Sequence, residues 1–422
     1  MTDLAVLTQP LTLPSGAEIK NRLLKSAMSE ALATRDCAPN AMHARLYQAW
    51  ADGGIGLCIS GNVMIDRAAL GEPGNVVIED DRDLPALTAW ATAATSNSTA
   101  CWVQLNHPGK QSPRGLNRET VSPSAIPFRA ELRTTFATPR ALTDDEIHGI
   151  VRRFGVAAGV VKKAGFSGVQ IHGAHGYLVS QFLSPHHNVR TDGWGGSAEK
   201  RRRFVLEVYR AMREAVGPKF PIGIKLNSAD FQRGGFTAEE SLEAIRVLAE
   251  AGIDLIEISG GTYEAPAMTG VKAKPAAIKN STRLREAYFL DFAEKARKVA
   301  TCPLAVTGGF RSSEGMSQAV SSGAVDMVGV ARILALETDA PARLLAGQAT
   351  RNTIRPRTTG IAAIDRLGIL EISWYTDQLK RIGHGQPTRP WEPALWTFAK
   401  LAWNLASVGK KKRLPTKLRA NS

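Results

Sequence analysis

Residues 221–261 read PIGIKLNSADFQRGGFTAEESLEAIRVLAEAGIDLIEISGG. Two apolar runs, at 221–227 and 255–261, flank an amphipathic segment at 238–251 that ends in Ala-Gly. Gly after the last turn is typical of a left-handed cap, so the segment is predicted to be a helix. A continuous apolar run predicts a strand that is buried on both faces, and a helix between two such strands predicts parallel pairing. The stretch therefore predicts one strand–helix–strand unit of a parallel sheet.

The same alternation extends over most of the chain. Strands are predicted at 21–28, 56–65, 100–106, 168–174, 221–227, 255–261, 303–309 and 327–332. Further helices are predicted at 144–164, 197–216 and 285–300. Eight such units predict an α/β fold, a closed (β/α)8 TIM barrel. The alternative is a doubly wound open sheet, but that fold more often carries a G-x-G-x-x-G turn after an early strand, and the first two predicted strand ends have none.

Two connections are longer than a plain barrel needs, at 107–142 after the third strand and at 262–284 after the sixth. Active sites of such barrels are built from the loops at the carboxyl ends of the strands. We therefore expect the two connections to cover a substrate as lids, with variable surface loops as the alternative. Residues 1–345 are expected to form the barrel, and residues 346–422 a C-terminal extension.

The net charge of +14 is unevenly distributed over the 422 residues. The last 43 residues hold ten Lys or Arg against one Glu, together with three of the eight Trp. Their apolar side chains could form one helical stripe, consisting of Trp391, Leu395, Trp396, Phe398, Leu401, Trp403 and Leu405. We expect this helical extension to pack on the barrel or on a second subunit of a homo-oligomer. The first alternative is contact of residues 386–422 with an anionic membrane. A nucleic-acid arm is the weakest alternative, so no nucleic-acid partner is expected.

The rest of the composition is that of a folded globular protein, with 44% hydrophobic and 22% charged residues. Four cysteines, Cys37, Cys58, Cys101 and Cys302, have no C-x-x-C spacing, which argues against a zinc ribbon, an iron–sulfur cluster or a disulfide framework. The N-terminus lacks the basic and apolar regions of a signal peptide, and no apolar run reaches about 18 residues. We expect a cytoplasmic protein, with the inner face of a membrane as the alternative location.

The fourth predicted strand ends in IHGAHGY, at residues 171–177. It places His172, His175 and Tyr177 at the rim of the barrel, separated by small residues that let another molecule approach closely. Histidines in such a place can donate hydrogen bonds to a substrate, bind a metal or simply pack. Because no carboxylate or Cys lies in the same stretch, a metal site is disfavoured. We predict a catalytic role and no metal.

Several segments resemble, in order and in spacing, the Old Yellow Enzyme family of FMN-dependent ene reductases, over residues 5 to 345. The matching strings are NRLLKSAM with Ser29, GGIGLCISGN, VQLNHPGKQ, SPSAI, IHGAHGYLVSQFLSP with the following N-x-R-T-D-x-x-G-G-S, IKLNSAD, TGGF and VGVAR. The string around the two histidines is the most specific of them. The resemblance implies a TIM barrel with bound FMN that takes electrons from NADH or NADPH.

The resemblance also implies which residues hold FMN. Ser26, Ala27, Met28 and Ser29 would lie along the isoalloxazine, with the Ser29 hydroxyl on flavin O4, and Gly61 would leave room for the ring. Gln104 would match the donor and acceptor edge of the pyrimidine, and Lys225 would place a cation beside N1 and O2. Gly308, Gly309, Ala331 and Arg332 would bind the phosphate, where such barrels often bind one. Lys225 stands where the family often has Arg. Lys keeps the positive charge but lacks the planar guanidinium group, which can donate two parallel hydrogen bonds.

For the substrate, the resemblance implies that His172 and His175 hold the carbonyl or nitro oxygen of an activated alkene. Hydride would then reach the β-carbon from the flavin, and Tyr177 would protonate the α-carbon, in a ping-pong reaction. Two alternatives stay open. The protein could be a flavoprotein that passes electrons to quinones or oxygen, or a cofactor-free barrel lyase with Lys225 as a Schiff-base amine.

The sequence departs from the family pattern at the first strand. Ala27 replaces a frequent Pro, and Glu30 with Ala31 and Leu32 stands where several members have an active-site Tyr, so the preferred substrate is open. The loop residues Tyr263, Met268 and Arg283 are weak candidates for the pocket. The chain lacks the cysteine cluster and the length of relatives with an iron–sulfur cluster and nucleotide-binding domains, which favours the single-domain, FMN-only form.

Overall fold

Eight parallel strands of one sheet enclose a barrel. The structure, a computed structural model, describes residues 4–260, 289–310, 312–348, 357–361, 369–397 and 399–400. The barrel strands are β1 (Leu23–Lys25), β2 (Leu57–Met64), β3 (Ala100–Asn106), β4 (Gly168–Gly173), β5 (Ile222–Asn227), β6 (Leu255–Ser259), β7 (Leu304–Thr307) and β8 (Met327–Val330). Each strand pairs with the next, and β8 pairs back with β1. The predicted (β/α)8 barrel is confirmed.

The inside of the barrel changes character along the strands. Near the amino-terminal ends it is filled by apolar side chains, those of Leu24, Leu57, Ile59, Trp102, Leu255, Ala305 and Met327. A short N-terminal hairpin of Leu11–Thr12 and Glu18–Ile19 adds Leu11 and Ile19 to the same cluster. Further along the strands the inward positions become polar, which leaves the carboxyl end of the barrel for chemistry.

The strands are shorter than the apolar runs that predicted them. The run at 21–28 gives only the three residues of β1, and the segment from Ser26 onward leaves the sheet. The run at 303–309 ends as β7 at Thr307, because Gly308 and Gly309 have φ of 121° and 96°, which a strand cannot accommodate. In both cases the residues beyond the strand are predicted site residues.

Helices follow the strands and cover the barrel. They are α1 (Ala41–Asp52), α2 (Leu84–Ala94), α3 (Asp144–Ala164), α4 (Ala198–Val216), α5 (Ala238–Glu250), α6 (Leu290–Ala296), α7 (Ser313–Ser321), α8 (Ala340–Leu345) and α9 (Ile369–Gly383). Capping boxes begin α3 and α5, and Gly165 ends α3 at φ 93°, in the predicted left-handed conformation. The helix predicted at 285–300 is shorter within the described residues, where it is α6.

The long connection after β3 lies against the segment that follows β4. Its short strands Val121–Ser122 and Arg140–Ala141 pair with each other. Gln111 donates from Nε2 to the carbonyl of His175 over 3.0 Å, so the connection reaches the predicted site. The other long connection, with Tyr263, Met268 and Arg283, lies outside the described residues.

The C-terminal extension contributes α9, which packs beside α1. Leu370, Trp374 and Leu379 of α9 are buried, and the Trp374 indole donates to the carbonyl of Glu392 over 2.9 Å. In the predicted stripe, Trp391, Leu395 and Trp396 are exposed, whereas Phe398 and everything after residue 400 lie outside the described part. Within the described residues, we find no helix with the length and apolar character needed to cross a bilayer.

Candidate active site

Polar side chains occupy alternate positions on the inward face of three neighbouring strands. They are Gln170 and His172 on β4, Lys225 and Asn227 on β5, and Glu257 and Ser259 on β6. The register places Lys225 opposite both His172 and Glu257, and Asn227 opposite Ser259. Because paired residues of parallel strands point to the same face, these side chains converge inside the carboxyl end of the barrel.

At the centre lies a buried ion pair. The Nζ atom of Lys225 is 3.0 Å from Oε1 of Glu257 and donates to the hydroxyl of Ser26 over 2.6 Å. Glu257 also accepts hydrogen bonds from Ser26 (2.5 Å), Thr307 (2.7 Å) and Gln170 (2.9 Å). Burial raises the pKa of Glu257, but the Lys225 charge and these three bonds outweigh burial and hold that pKa below its ordinary value. The predicted residues Ser26 and Lys225 are thus in direct contact.

A chain of amides fixes the orientation of Gln104. A carboxylate only accepts, so the atom of Gln170 that faces Glu257 must be its NH₂ group. The Gln170 oxygen therefore accepts from Gln104 Nε2 over 2.7 Å. This leaves Gln104 Oε1 buried and, among the described residues, without a hydrogen-bond partner. A buried unpartnered acceptor is uncommon and fits a donor on a ligand.

The two predicted histidines lie beside this network and contact each other. Their rings are 5.2 Å apart in an edge-to-face arrangement. The backbone N–H of Ala174 donates to His172 Nδ1, which puts the ring proton of His172 on Nε2. Nε2 of His175 is 2.8 Å from the Ser259 hydroxyl. Within the described residues, no group of three or more His, Cys, Asp or Glu side chains could hold a metal ion.

An unusual backbone conformation positions His175. Its φ is 61°, in the left-handed region that a residue with a side chain rarely adopts. The conformation is held by hydrogen bonds on both sides, since the His175 N–H donates to Asn227 Oδ1 over 3.1 Å and its carbonyl accepts from Gln111. Strain that the surroundings hold in place in this way is characteristic of functional sites.

Both imidazoles are neutral around pH 7. Burial, His175 and the Lys225 charge together put the pKa of His172 well below its ordinary value. Burial and then Lys225 lower the pKa of His175 to about 3. A neutral imidazole with one N–H can donate a hydrogen bond to a substrate oxygen without carrying a charge.

Tyr177 completes the predicted catalytic group. Its ring is 4.7 Å from that of His172, and its side chain is buried. The Tyr177 hydroxyl accepts from Asn62 Nδ2 over 3.4 Å, and Asn62 follows Gly61 on β2. The structure therefore brings His172, His175 and Tyr177 together, as their spacing predicts.

The residues after β1 lie against β2 at Gly61. A Cβ at Gly61 would be 2.6 Å from the carbonyl oxygen of Met28 and 3.0 Å from the Glu30 carboxyl carbon. The close approach that Gly61 permits is therefore to the segment at 26–30 itself, in which Ala27 is half-buried. The Ser29 hydroxyl donates to Glu72 over 2.5 Å, and the Ser29 carbonyl accepts from Thr376 of α9.

The four predicted phosphate residues share one rim. Gly308 and Gly309 follow β7, Ala331 and Arg332 follow β8, and these strands pair through Thr307 and Gly329. The two glycines have φ values that only glycine adopts readily. Arg332 Nη1 is 3.1 Å from Oε1 of Glu371, so the C-terminal extension reaches this rim through α9.

The residues present fit FMN. The unpartnered Gln104 oxygen suits the N–H of a pyrimidine edge, the Lys225 ammonium supplies a cation inside the barrel, and the adjacent glycines with Arg332 suit a phosphate.

Sequence reasoning missed several members of the site. The sequence pattern places Glu257, Gln170 and Ser259 in strands but does not single them out as site residues. A signal was present, because a Glu inside an apolar strand is almost never buried without a partner, and Lys225 lies in the preceding strand. Glu72 and Glu371 gave no such signal, since each lies far in sequence from the residue that it contacts.

Comparison with known proteins identifies the family. Residues 6–351 match the NADH:flavin oxidoreductase / NADH oxidase family. The chain is 34% identical over 392 residues to the NADH-dependent flavin oxidoreductase iliE of Hypocrea jecorina (strain QM6a), covering 88% of this chain and 97% of that one. It is 37% identical over 344 residues to the protein of the same name from Neonectria sp. (strain DH2), covering 77% of this chain but only 45% of the relative.

Among solved structures, an Old Yellow Enzyme homologue from Zymomonas mobilis superimposes with a TM-score of 0.70 at 26% identity, over 82% of this chain and 95% of that one. The fold, the site and the relatives agree. The chain belongs to the NADH:flavin oxidoreductase / NADH oxidase family, that of Old Yellow Enzyme, and is an oxidoreductase that uses FMN and NAD(P)H.

Proposed function

We propose that the protein is an ene reductase, which reduces the C=C bond of α,β-unsaturated carbonyl or nitro compounds at the expense of NADH or NADPH. The observation that carries the proposal is the contact between the buried His172 and the partly buried His175, both held neutral beside the Lys225–Glu257 ion pair. Two neutral N–H donors next to a cation suit an uncharged substrate whose oxygen gains negative charge during reaction.

The histidines bind and polarise the substrate oxygen. His172 donates from Nε2, since its Nδ1 accepts from Ala174. His175 donates from Nδ1 when the Ser259 hydroxyl donates to its Nε2. Each such preorganised donor is worth ~3 kcal/mol in the transition state, because the charge that builds on the oxygen is met by a dipole that is already in place.

FMN, when bound, supplies the hydride that adds to the β-carbon, and NAD(P)H reduces FMN again. The protein would hold it with Gln104 and Lys225 at the pyrimidine, with Ser26, Ala27, Met28 and Ser29 along the ring, where Gly61 of β2 lets this segment lie close to the strand, and with Gly308, Gly309, Ala331 and Arg332 at the phosphate. Since nucleotide and alkene use one pocket in turn, we expect ping-pong kinetics.

Tyr177 is the proposed proton donor to the α-carbon. Its hydroxyl accepts a hydrogen bond from Asn62, and its ring packs against that of His172. These contacts keep the Tyr177 hydroxyl close to a substrate that the histidines hold. The general acid is needed because the α-carbon would otherwise keep the electron pair of the former double bond.

The Lys225–Glu257 pair disfavours the Schiff-base alternative. A nucleophilic lysine needs a free amine, whereas the Nζ atom of Lys225 lies 3.0 Å from the Glu257 carboxylate and donates to the Ser26 hydroxyl.

The test uses FMN-loaded protein without oxygen. It is incubated with NADH or NADPH that carries deuterium at the transferred position and with a cyclic enone, and the products are examined by mass spectrometry and NMR. One saturated ketone per nucleotide oxidised, with deuterium on the β-carbon and a solvent proton on the α-carbon, is expected. Nucleotide oxidation with quinones but with the enone recovered unchanged would contradict the proposal and favour the electron-transfer alternative.

A further inference from the structure

The Ser29 hydroxyl donates a hydrogen bond to Glu72, an acidic residue from another loop. Oγ of Ser29 lies 2.5 Å from Oε2 of Glu72, in the loop after β2. The buried Asn75 holds this loop, because its Oδ1 accepts from the backbone N–H groups of Gly71 and Glu72, while its Nδ2 is 3.4 Å from Glu72 Oε1. The carboxyl group is therefore fixed against Ser29.

A serine hydroxyl has one proton, and this limits what Ser29 can do. An ionised carboxylate only accepts, so Ser29 must donate to an ionised Glu72 and offers only lone pairs to anything else. When Glu72 is protonated, it can donate to Ser29, and the Ser29 proton is released for another acceptor. The state of Glu72 thus sets the direction of the hydrogen bond that Ser29 makes.

We propose that Glu72 is a positioning residue that acts through Ser29 and makes the reduction potential of the bound flavin depend on the protonation of Glu72. The inference rests on the proposed function, which places the Ser29 hydroxyl at flavin O4. With Glu72 protonated, Ser29 donates to this oxygen and favours the reduced cofactor, since hydrogen bonds to a more negative acceptor are stronger. With Glu72 ionised, the donor is lost.

The groups around Glu72 raise its pKa on balance. Burial raises the pKa of Glu72 and the nearby Glu30 adds to the rise, whereas hydrogen bonds from Ser29 and Asn75 and the charge of Lys380 on α9 oppose it, with a net raised pKa. His43 of α1 lines the same small cavity, and burial lowers its pKa, so it adds no charge near pH 7.

The test is the reduction potential of bound FMN measured against pH in five proteins: the wild type, Glu72→Gln, Glu72→Ala, Ser29→Ala and the double variant Ser29→Ala/Glu72→Gln. In the wild type we expect the potential to rise, as the pH falls, by more than free FMN does. Glu72→Gln cannot ionise and can donate to Ser29, so it should lose this extra rise. At high pH it should favour reduced flavin roughly tenfold more than the wild type, the value of one hydrogen bond to a charged group.

In the Ser29→Ala background, Glu72→Gln should change nothing. Glu72→Ala also frees the Ser29 proton and should shift the potential at high pH in the same direction, which guards against a distortion peculiar to the Gln side chain. If Ser29→Ala shifts the potential but neither Glu72 variant does, the inference is wrong and the proposed function stands. If Ser29→Ala leaves the potential unchanged even at low pH, where Glu72 is protonated, the placement of Ser29 at the flavin is wrong as well.

Discussion

Lys225 and Glu257 face each other inside the barrel, with 3.0 Å between Nζ and Oε1 and almost no access to solvent. They lie on neighbouring strands at paired positions, so the register of the sheet brings them together. The pair connects to Ser26 on one side and, through Gln170, to Gln104 on the other. One buried pair therefore organises three of the residues proposed to hold the flavin ring.

Replacing Glu257 by Gln should destabilise the protein strongly. The substitution leaves the Lys225 ammonium buried without its counter-charge, which costs about 3–5 kcal/mol of unfolding free energy. Denaturant unfolding of the holoenzyme measures the loss. Removing both charges, as in Lys225→Met with Glu257→Gln, should recover most of it. The exposed pair of Lys163 and Asp81 is the control, and Asp81→Asn should change nothing measurable. A Glu257→Gln protein as stable as the wild type would show that the pair does not organise the site.

Stability should fall with acid over a defined range. Burial lowers the pKa of His107 to about 4 and that of His175 to about 3, whereas an unfolded His titrates near 6.5. Below about pH 6.5 the unfolded chain therefore binds protons that the folded chain does not. Each such His then lowers the unfolding free energy by about 1.4 kcal/mol per pH unit, until the pH reaches the pKa of that His in the folded protein. The unfolding free energy, measured between pH 8 and about 4, should be flat above 6.5 and fall below it.

His107→Gln should reduce the slope of unfolding free energy against pH by the contribution of one proton, about 1.4 kcal/mol per pH unit. Gln348→Ala, at an exposed position whose side chain does not titrate, serves as the control and should leave the slope unchanged. A wild-type stability that is independent of pH down to about 4 would mean that these imidazoles accept protons in the folded state.

Arg332→Ala should weaken FMN binding roughly 10- to 100-fold, the worth of a hydrogen-bonded charge on phosphate. Fluorescence quenching of free FMN on titration with apoprotein gives the dissociation constant. Glu371→Gln should bind FMN at least as tightly as the wild type, because Glu371 competes with phosphate for the same guanidinium. Arg343→Ala, which breaks a comparable pair with Glu337, is the control. Equal affinities for Arg332→Ala and Arg343→Ala would remove Arg332 from the phosphate site.

Tyr177→Phe should lower enone turnover by roughly 10²-fold while leaving FMN content and flavin reduction by NADH unchanged, since only the proton donor is removed. Steady-state turnover and the rate of flavin reduction, measured separately, test this. Tyr209→Phe changes another buried Tyr, on α4, and should have no effect on turnover. If Tyr177→Phe keeps full turnover, the proton comes from elsewhere.

Much of the fold and part of the site could be predicted from the sequence. Continuous apolar runs separated by capped helices led to all eight strands, because both patterns are local. His172, His175 and Tyr177 were predicted together since they lie on one strand end. Contacts such as Ser29–Glu72 and Arg332–Glu371 join segments 43 and 39 residues apart, and no local pattern encodes them. They depend on how loops and α9 pack on the finished barrel.

Whether His172 and His175 bind and activate the alkene is decided by the oxidative half-reaction. FMN-loaded protein is reduced with dithionite, which avoids any role of the histidines in binding nucleotide, and is mixed without oxygen with a cyclic enone while the return of flavin absorption is followed. With unchanged FMN content, the variant His172→Ala/His175→Ala should react roughly 10⁴-fold more slowly than the wild type, as expected for the loss of two preorganised donors of ~3 kcal/mol each. Reoxidation of both proteins by the enone at the same rate would contradict the account.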